Sequence, residues 1–261
     1  MSRNGNVLNR NQNVGAVLSW VVCVALGNDK ISSNVLLFDL PVRRTCPGMG
    51  ECGKYCTSLK PEVGKWKGVP DARWANFWAS LYDPNFVDKM VAKIRESGVR
   101  WVRFHVSGDL YRKQYLEAVA EIASRLKDEV NFFLYTKSLH LDLTPLTSLP
   151  NFTVIKSLGG KFDHLIDTSK DNYARVIKDP SEQWDGEFLC PEGAAGLTGK
   201  ATEKFCGYNC FYCLSNKNTD KTEPHQIKVA FLMKKKGFNG TKLPPPPPRP
   251  AAVSPEDEGG R

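Results

Sequence analysis

Asn34-Val35-Leu36-Leu37-Phe38-Asp39-Leu40 runs through Pro41 into Thr45-Cys46-Pro47-Gly48-Met49-Gly50-Glu51-Cys52-Gly53-Lys54-Tyr55-Cys56. The first piece is a short apolar run with the look of a buried strand. The second places three cysteines in eleven residues, spaced C-x5-C-x3-C, on a loop with Pro47, Gly48 and Gly50. Thiolates this close can converge on one iron–sulfur cluster or one zinc. The competing reading is a set of unrelated buried or disulfide-bonded thiols. A cysteine loop hung on the end of a buried strand predicts a βα fold, with its chemistry at the strand's carboxyl edge.

Working outward from that loop, strand and helix patterns mostly alternate. Residues 71–81 and 84–96 carry apolar side chains at helical spacing, the second stretch stopping near Gly98. Residues 99–106 alternate like a strand and end at Ser107-Gly108-Asp109. An amphipathic helix over 115–126 is followed by an aromatic strand over 130–135, which ends at Thr136-Lys137-Ser138. Residues 141–149 read as a polar connection, and 152–156 as a strand ending at Ser157-Leu158-Gly159-Gly160. Beyond Phe162 the pattern weakens: a short helix fits somewhere in 163–176, and 229–233 fits a last strand or short helix.

The fold class expected is α/β, a partial (β/α) barrel of parallel strands with a C-terminal cysteine-rich metal-binding segment. Residues 1–26 form an N-terminal arm and apolar segment, 27–180 the partial barrel and 181–242 the cysteine-rich segment packed on it. Residues 243–261 are a disordered Pro-rich tail. The apolar run at 14–26 is too short for a membrane span and reads as a buried element of the fold.

A chain of 261 residues, 41% hydrophobic and 25% charged, buries a sizeable core and is not disordered overall. The formal charge of +8 admits an anionic partner such as nucleic acid. Eight cysteines in a chain of this length argue against a disulfide scaffold and for metal in a reducing, cytoplasmic setting. Cys46, Cys52 and Cys56 form an early group; Cys190, Cys206, Cys210 and Cys213 form a late one; Cys23 is a small buried hydrophobe. The late group reads as a closed four-thiolate site, either an auxiliary iron–sulfur cluster or a structural zinc.

Four strand ends carry polar or Gly-rich sequence and are placed to meet: the first cysteine loop, Ser107 to Asp109, Thr136 to Ser138 and Ser157 to Gly160. A three-cysteine loop after the first strand and a Gly-acid motif after the second resemble radical SAM enzymes. The resemblance implies a [4Fe–4S] cluster on Cys46, Cys52 and Cys56, with one iron open to S-adenosylmethionine. It implies that Ser107, Gly108 and Asp109 hold the cofactor. The usual loop spacing in that superfamily is C-x3-C-x2-C, which here belongs to Cys206, Cys210 and Cys213 instead.

A closer likeness is to the phage family of mycobacteriophage gene product 88. Gly27-Asn28-Asp29-Lys30, Leu40-Pro41 and Thr45-Cys46-Pro47-Gly48 resemble its motifs in order. So do residues 102–111 and 133–138. The likeness implies a phage protein but carries no settled activity. The leading expectation is a phage iron–sulfur enzyme with one or two [4Fe–4S] clusters and an unknown substrate. The alternative is a zinc- or iron–sulfur-stabilised nucleic-acid-binding protein without catalysis. Among single residues, His105 reads as a core histidine beside the site, and Arg100, Trp101 and Arg103 as strand-edge packing, with nucleic-acid binding as the alternative. Lys137 and Asp109 read as substrate-facing or as an ordinary ion pair, and Trp66, Trp74 and Trp78 as core.

Overall fold

The computed structural model describes residues 20–66, 68–191, 206–214, 225–233, 243 and 245–248. One eight-stranded sheet organises them, in the order β1-β2-β3-β4-β5-β6-β8-β7. The strands are β1 (Ala25–Leu26), β2 (Val35–Phe38), β3 (Trp101–Phe104), β4 (Asn131–Thr136) and β5 (Phe152–Ser157), then β6 (Tyr173–Ile177), β7 (Phe188–Leu189) and β8 (Lys228–Leu232). Only β1 is antiparallel to its neighbour; every other pairing is parallel. No pairing among the described residues joins the two edges, so the protein is mixed α/β with an open, mostly parallel sheet.

Register explains which face does what. Leu36, Val102, Phe132 and Phe152 lie in one row across β2 to β5. With Phe38, Phe104 and Leu134 they face helices α1 (Val69–Tyr82), α2 (Phe86–Ser97) and α3 (Lys113–Arg125). The apolar stripe of α2 (Met90, Val91, Ile94) and that of α3 (Leu116, Val119, Ile122) are buried there. Full burial of each such side chain contributes roughly 1.5–3 kcal/mol. α2 ends at Gly98, whose φ of 65° is the left-handed conformation that a helix C-terminus favours.

The next row, Leu37, Arg103 and Phe133, points to the opposite face. Among the described residues no long helix covers it. Instead Ile31 and Leu214 pack on Val35, Leu37 and Phe133, while Cys190, Tyr212 and Cys213 pack on Ile155, Ala174 and Val229. The late cysteine segment therefore lies against the inner face of the sheet, tied to β2's approach where Ser32 N donates to Cys206 O at 2.8 Å.

The elements before residue 160 match the sequence pattern closely, with a short helix α4 (Thr144–Thr147) inside the expected connection. Later ones differ. The expected helix within 163–176 is a single turn, Asp163–Leu165, followed by a turn-rich connection to β6, which begins at Tyr173. The stretch 229–233, expected as a last strand or short helix, is the strand β8, whereas β7 was not foreseen. Trp66 is 47% exposed rather than core, whereas Trp74 is buried. Of the apolar run at 14–26 only 20–26 is described, and the Pro-rich tail lies almost wholly outside the described residues. No helix among the described residues is long and apolar enough to cross a membrane.

Asn151 shows how one side chain fixes a connection. Its amide donates to Ala123 O at 3.0 Å and Val130 O at 2.8 Å, closing the end of α3 onto the start of β4. The first carbonyl lies in the last turn of α3 and the second just before β4, so one amide ties the two elements together. Asn151→Ala is expected to lower stability by about 2–3 kcal/mol, read from urea unfolding midpoints at an unchanged slope.

Candidate metal centre

The first cysteine loop leaves β2 through a tight turn. Arg43 sits at φ 63°, and Thr45 Oγ1 donates to Pro41 O at 2.8 Å. Arg43 Nη2 reaches across the loop to Gly53 O at 2.7 Å. The loop is also stitched to the end of β5: Cys52 N donates to Gly159 O, and Lys161 N to Gly48 O. Ser107 Oγ donates to Leu40 O and Leu40 N to Ser107 O, joining the β2 and β3 ends. The four strand ends expected to meet are thus hydrogen-bonded to one another.

Ser107, Gly108 and Asp109 sit where that expectation puts them, but much of their polarity is engaged within the protein. Asp109 Oδ1 accepts from Thr136 Oγ1 at 2.7 Å and from Leu110 N, and Oδ2 accepts from Lys137 N at 2.8 Å. Burial pushes the Asp109 carboxyl up, and these donors pull against it. Gly108, at φ 84°, presses on Leu40 and Thr45, with no room for a side chain.

A cavity of about 430 Å³ opens over this edge and extends across the inner face of the sheet. Cys46, Cys52 and Cys56 line one side; Cys190, Cys206, Cys210 and Cys213 line the other. The two groups, distant in sequence, share one chamber with Ser107, Asp109 and Lys137. All eight cysteines are free thiols in the structure. Burial pushes the Cys46 thiol well up, and Asp109, Cys56 and Cys52 push it further. Burial likewise raises Cys213, with Cys206, Cys190 and Cys210 adding to it, while a hydrogen bond from Tyr135 opposes the rise. Without metal these sulfurs are therefore protonated, and any metal they bind must displace protons.

Among the described residues no three His, Cys, Asp or Glu side chains are gathered as they would be around one ion. A tetrahedral zinc needs its thiolates about 2.3 Å from a common centre. A polynuclear cluster holds them on separate iron atoms, so it accepts the wider spread.

His105 is a buried core histidine that also lines the cavity. Its Nε2 shares a 2.7 Å hydrogen bond with Tyr115 Oη, while Nδ1 is buried without a hydrogen-bond partner among the described residues. Burial, reinforced by Arg103, lowers its pKa to about 3, so the ring is neutral. Arg103 is not strand-edge packing: it lies over the Tyr135 ring at 4.9 Å on the cavity side. Lys137 makes no ion pair with Asp109; its ammonium donates to Ser157 Oγ. Tyr135 was missed by sequence reasoning, although the alternation Asn131, Phe133, Tyr135 places it on the Arg103 face. Cys23, half-buried, lies outside the cavity lining.

Fold and site together define an α/β protein whose parallel strand ends and inner sheet face carry two cysteine groups around one chamber. The family described as Gene product 88 matches residues 8–196, and the chain belongs to that family. The match takes in Cys46, Cys52, Cys56, Ser107 to Asp109 and Cys190, and stops before Cys206. Neither curated proteins nor solved structures yield a match.

Proposed function

We propose that this phage-family protein is an iron–sulfur protein of radical-SAM-like, partial-barrel architecture, working in the reducing cytoplasm of a host cell. The observation that carries the reading is the shared chamber: seven thiols from two distant segments line it together with the polar ends of β2 to β5. A structural zinc would not need that placement. Cys46, Cys52 and Cys56 would hold one [4Fe–4S] cluster, leaving one position for a small ligand such as S-adenosylmethionine. Cys190, Cys206, Cys210 and Cys213 would hold a second, closed one. Such clusters supply one-electron chemistry when bound. The chain's own residues do the rest. Asp109 fixes the β4 end under the first group, Tyr135 donates to Cys213 Sγ, and neutral His105 holds its place beside Tyr115.

Protein purified without oxygen is expected to be brown, with about eight irons and matching sulfide per chain. Cys46→Ala with Cys52→Ala and Cys56→Ala should leave about four, and 5′-deoxyadenosine formation from S-adenosylmethionine should vanish with them. Iron unchanged in that variant would sink the site assignment, and colourless protein holding only zinc would sink the reading. The net charge of +8 supports a second reading, a metal-stabilised nucleic-acid-binding protein. Zinc alone with steeply salt-dependent DNA binding would favour it.

A further inference from the structure

The chamber holds more positive charge than it answers. Arg103 projects from β3 and touches the rings of Tyr135 and Phe133; its Nε is buried without a hydrogen-bond partner, and it makes no ion pair among the described residues. Lys137, at the end of β4, meets the neutral Ser157 hydroxyl, while Asp109, the lone carboxylate among the described lining residues, is turned to Thr136 and backbone amides. Arg103, without an ion pair among the described residues, and Lys137, whose charge Asp109 only partly answers, face one enclosed space and offer an anion both positive charge and N–H donors. A carboxylate supplies one negative charge; a phosphomonoester supplies about 1.5 to 2, with three acceptor oxygens for a guanidinium and an ammonium at once. Around the same space Tyr135, Phe188 and Phe231 offer flat apolar surface. The volume of about 430 Å³ is that of a small organic ligand's site.

We propose that the chamber binds a phosphomonoester with a planar body, the chemistry of a nucleoside monophosphate, its phosphate on Arg103 and Lys137 and its ring among Tyr135, Phe188 and Phe231. The proposal names the substrate class for the chamber described above and rests on that chamber being the working site, not on which metal its cysteines hold.

The full chain, purified without oxygen and with its iron counted, is titrated by calorimetry with AMP, GMP, CMP and UMP, with the four matching nucleosides, and with inorganic phosphate. At least one nucleotide should bind one to one, with its nucleoside and inorganic phosphate each at least about tenfold weaker. Arg103→Met and Lys137→Met should each weaken that nucleotide by roughly tenfold to a hundredfold, with Arg103→Lys in between, at unchanged thermal midpoint and iron content. Nucleosides binding as well as nucleotides, no nucleotide binding, or an Arg103→Met protein that binds normally would each overturn the proposal. Should Arg103→Met prove unstable, Lys137→Met carries the same test. Iron-free protein that still binds a nucleotide through Arg103 would sink the iron–sulfur reading alone. Iron-loaded protein that binds none would sink the ligand proposal alone.

Discussion

Arg73→Met is expected to lower the unfolding free energy by about 3–5 kcal/mol near neutral pH, because it strands a buried carboxylate. Arg73 rises from α1 into the protein with its side chain 5% exposed, and Nη1 meets Glu62 Oε2 at 2.8 Å, where Glu62 is 3% exposed. The same nitrogen donates to Ser58 O, just beyond the cysteine loop, and Nη2 lies 3.8 Å from Asp39 at the end of β2. Asp39 Oδ1 in turn accepts from Val106 N and Ser107 N. The pair is thus a brace between α1, the exit of the cysteine loop and the β3 end. Burial raises the Glu62 pKa, although the hydrogen bond and charge of Arg73 oppose it. The folded protein therefore holds the Glu62 proton more tightly than the unfolded chain does. That contribution to stability is present in acid and is lost as pH rises through the folded pKa. The variant's deficit should accordingly shrink as pH falls towards the glutamate range, where a protonated Glu62 needs no cation. Replacing both partners by apolar residues, Glu62→Leu with Arg73→Met, should recover much of the loss, since no charge is left buried. Urea unfolding of the three proteins at pH 5 and pH 8 measures all of this. A deficit below 1 kcal/mol, or one that grows in acid, would show that the pair is not the brace described.

How much of this was legible in sequence divides along physical lines. The elements before residue 160 announce themselves because each buries one face: α2 and α3 carry apolar side chains at helical spacing, and β3 alternates. The convergence of strand ends was legible too, since parallel βα units put every such end on one edge. β6 and β7 were not. Tyr173–Ile177 follows an acidic, polar stretch, and its burial depends on pairing with β8, more than fifty residues later. A two-residue strand such as β7 has no period to read. The largest omission was that both cysteine groups share a chamber. Spacing showed two thiol clusters, but their juxtaposition depends on residues 206–214 crossing the inner sheet face to meet Ile31 and Ser32. That is a tertiary contact with no local signature. The side chains inside the chamber were half visible: alternation along β3 and β4 puts Arg103 and Tyr135 on one face, but not which face is enclosed.

Gly48→Ala should dislodge the first cysteine group while sparing the second. A Cβ at Gly48 would stand 1.9 Å from Lys137 O and 2.4 Å from Lys137 C, both backbone atoms of the β4 end that no rotamer change can move aside. Gly50 is nearly as tight against Gly160, and Gly160 against the Gly48 carbonyl. Glycine is required here by close approach: two loops and a strand end lie backbone to backbone, with Lys161 N donating to Gly48 O. An added methyl must push the loop off β4 and β5, at a cost of about 1–3 kcal/mol or more. Since Cys46 and Cys52 flank the contact, their sulfurs move with it. Cys190 and Cys213 of the late group are seated against β5, β6 and β8, and Cys206 beside Ile31 and Val35, away from this contact. If the proposed iron–sulfur reading holds, Gly48→Ala protein prepared without oxygen loses about half its iron and most of its S-adenosylmethionine cleavage, yet unfolds in a single transition at a modestly lower temperature. Gly53→Ala is the matched control within the same loop. Its Cβ would meet the Met49 side chain, at 2.9 Å from Sδ, and a flexible thioether can turn away. Equal iron loss in both variants would mean that the loop tolerates no added atom anywhere. Loss in Gly48→Ala alone would tie the metal centre proposed for the first cysteine group to the seat of the loop on the end of β4.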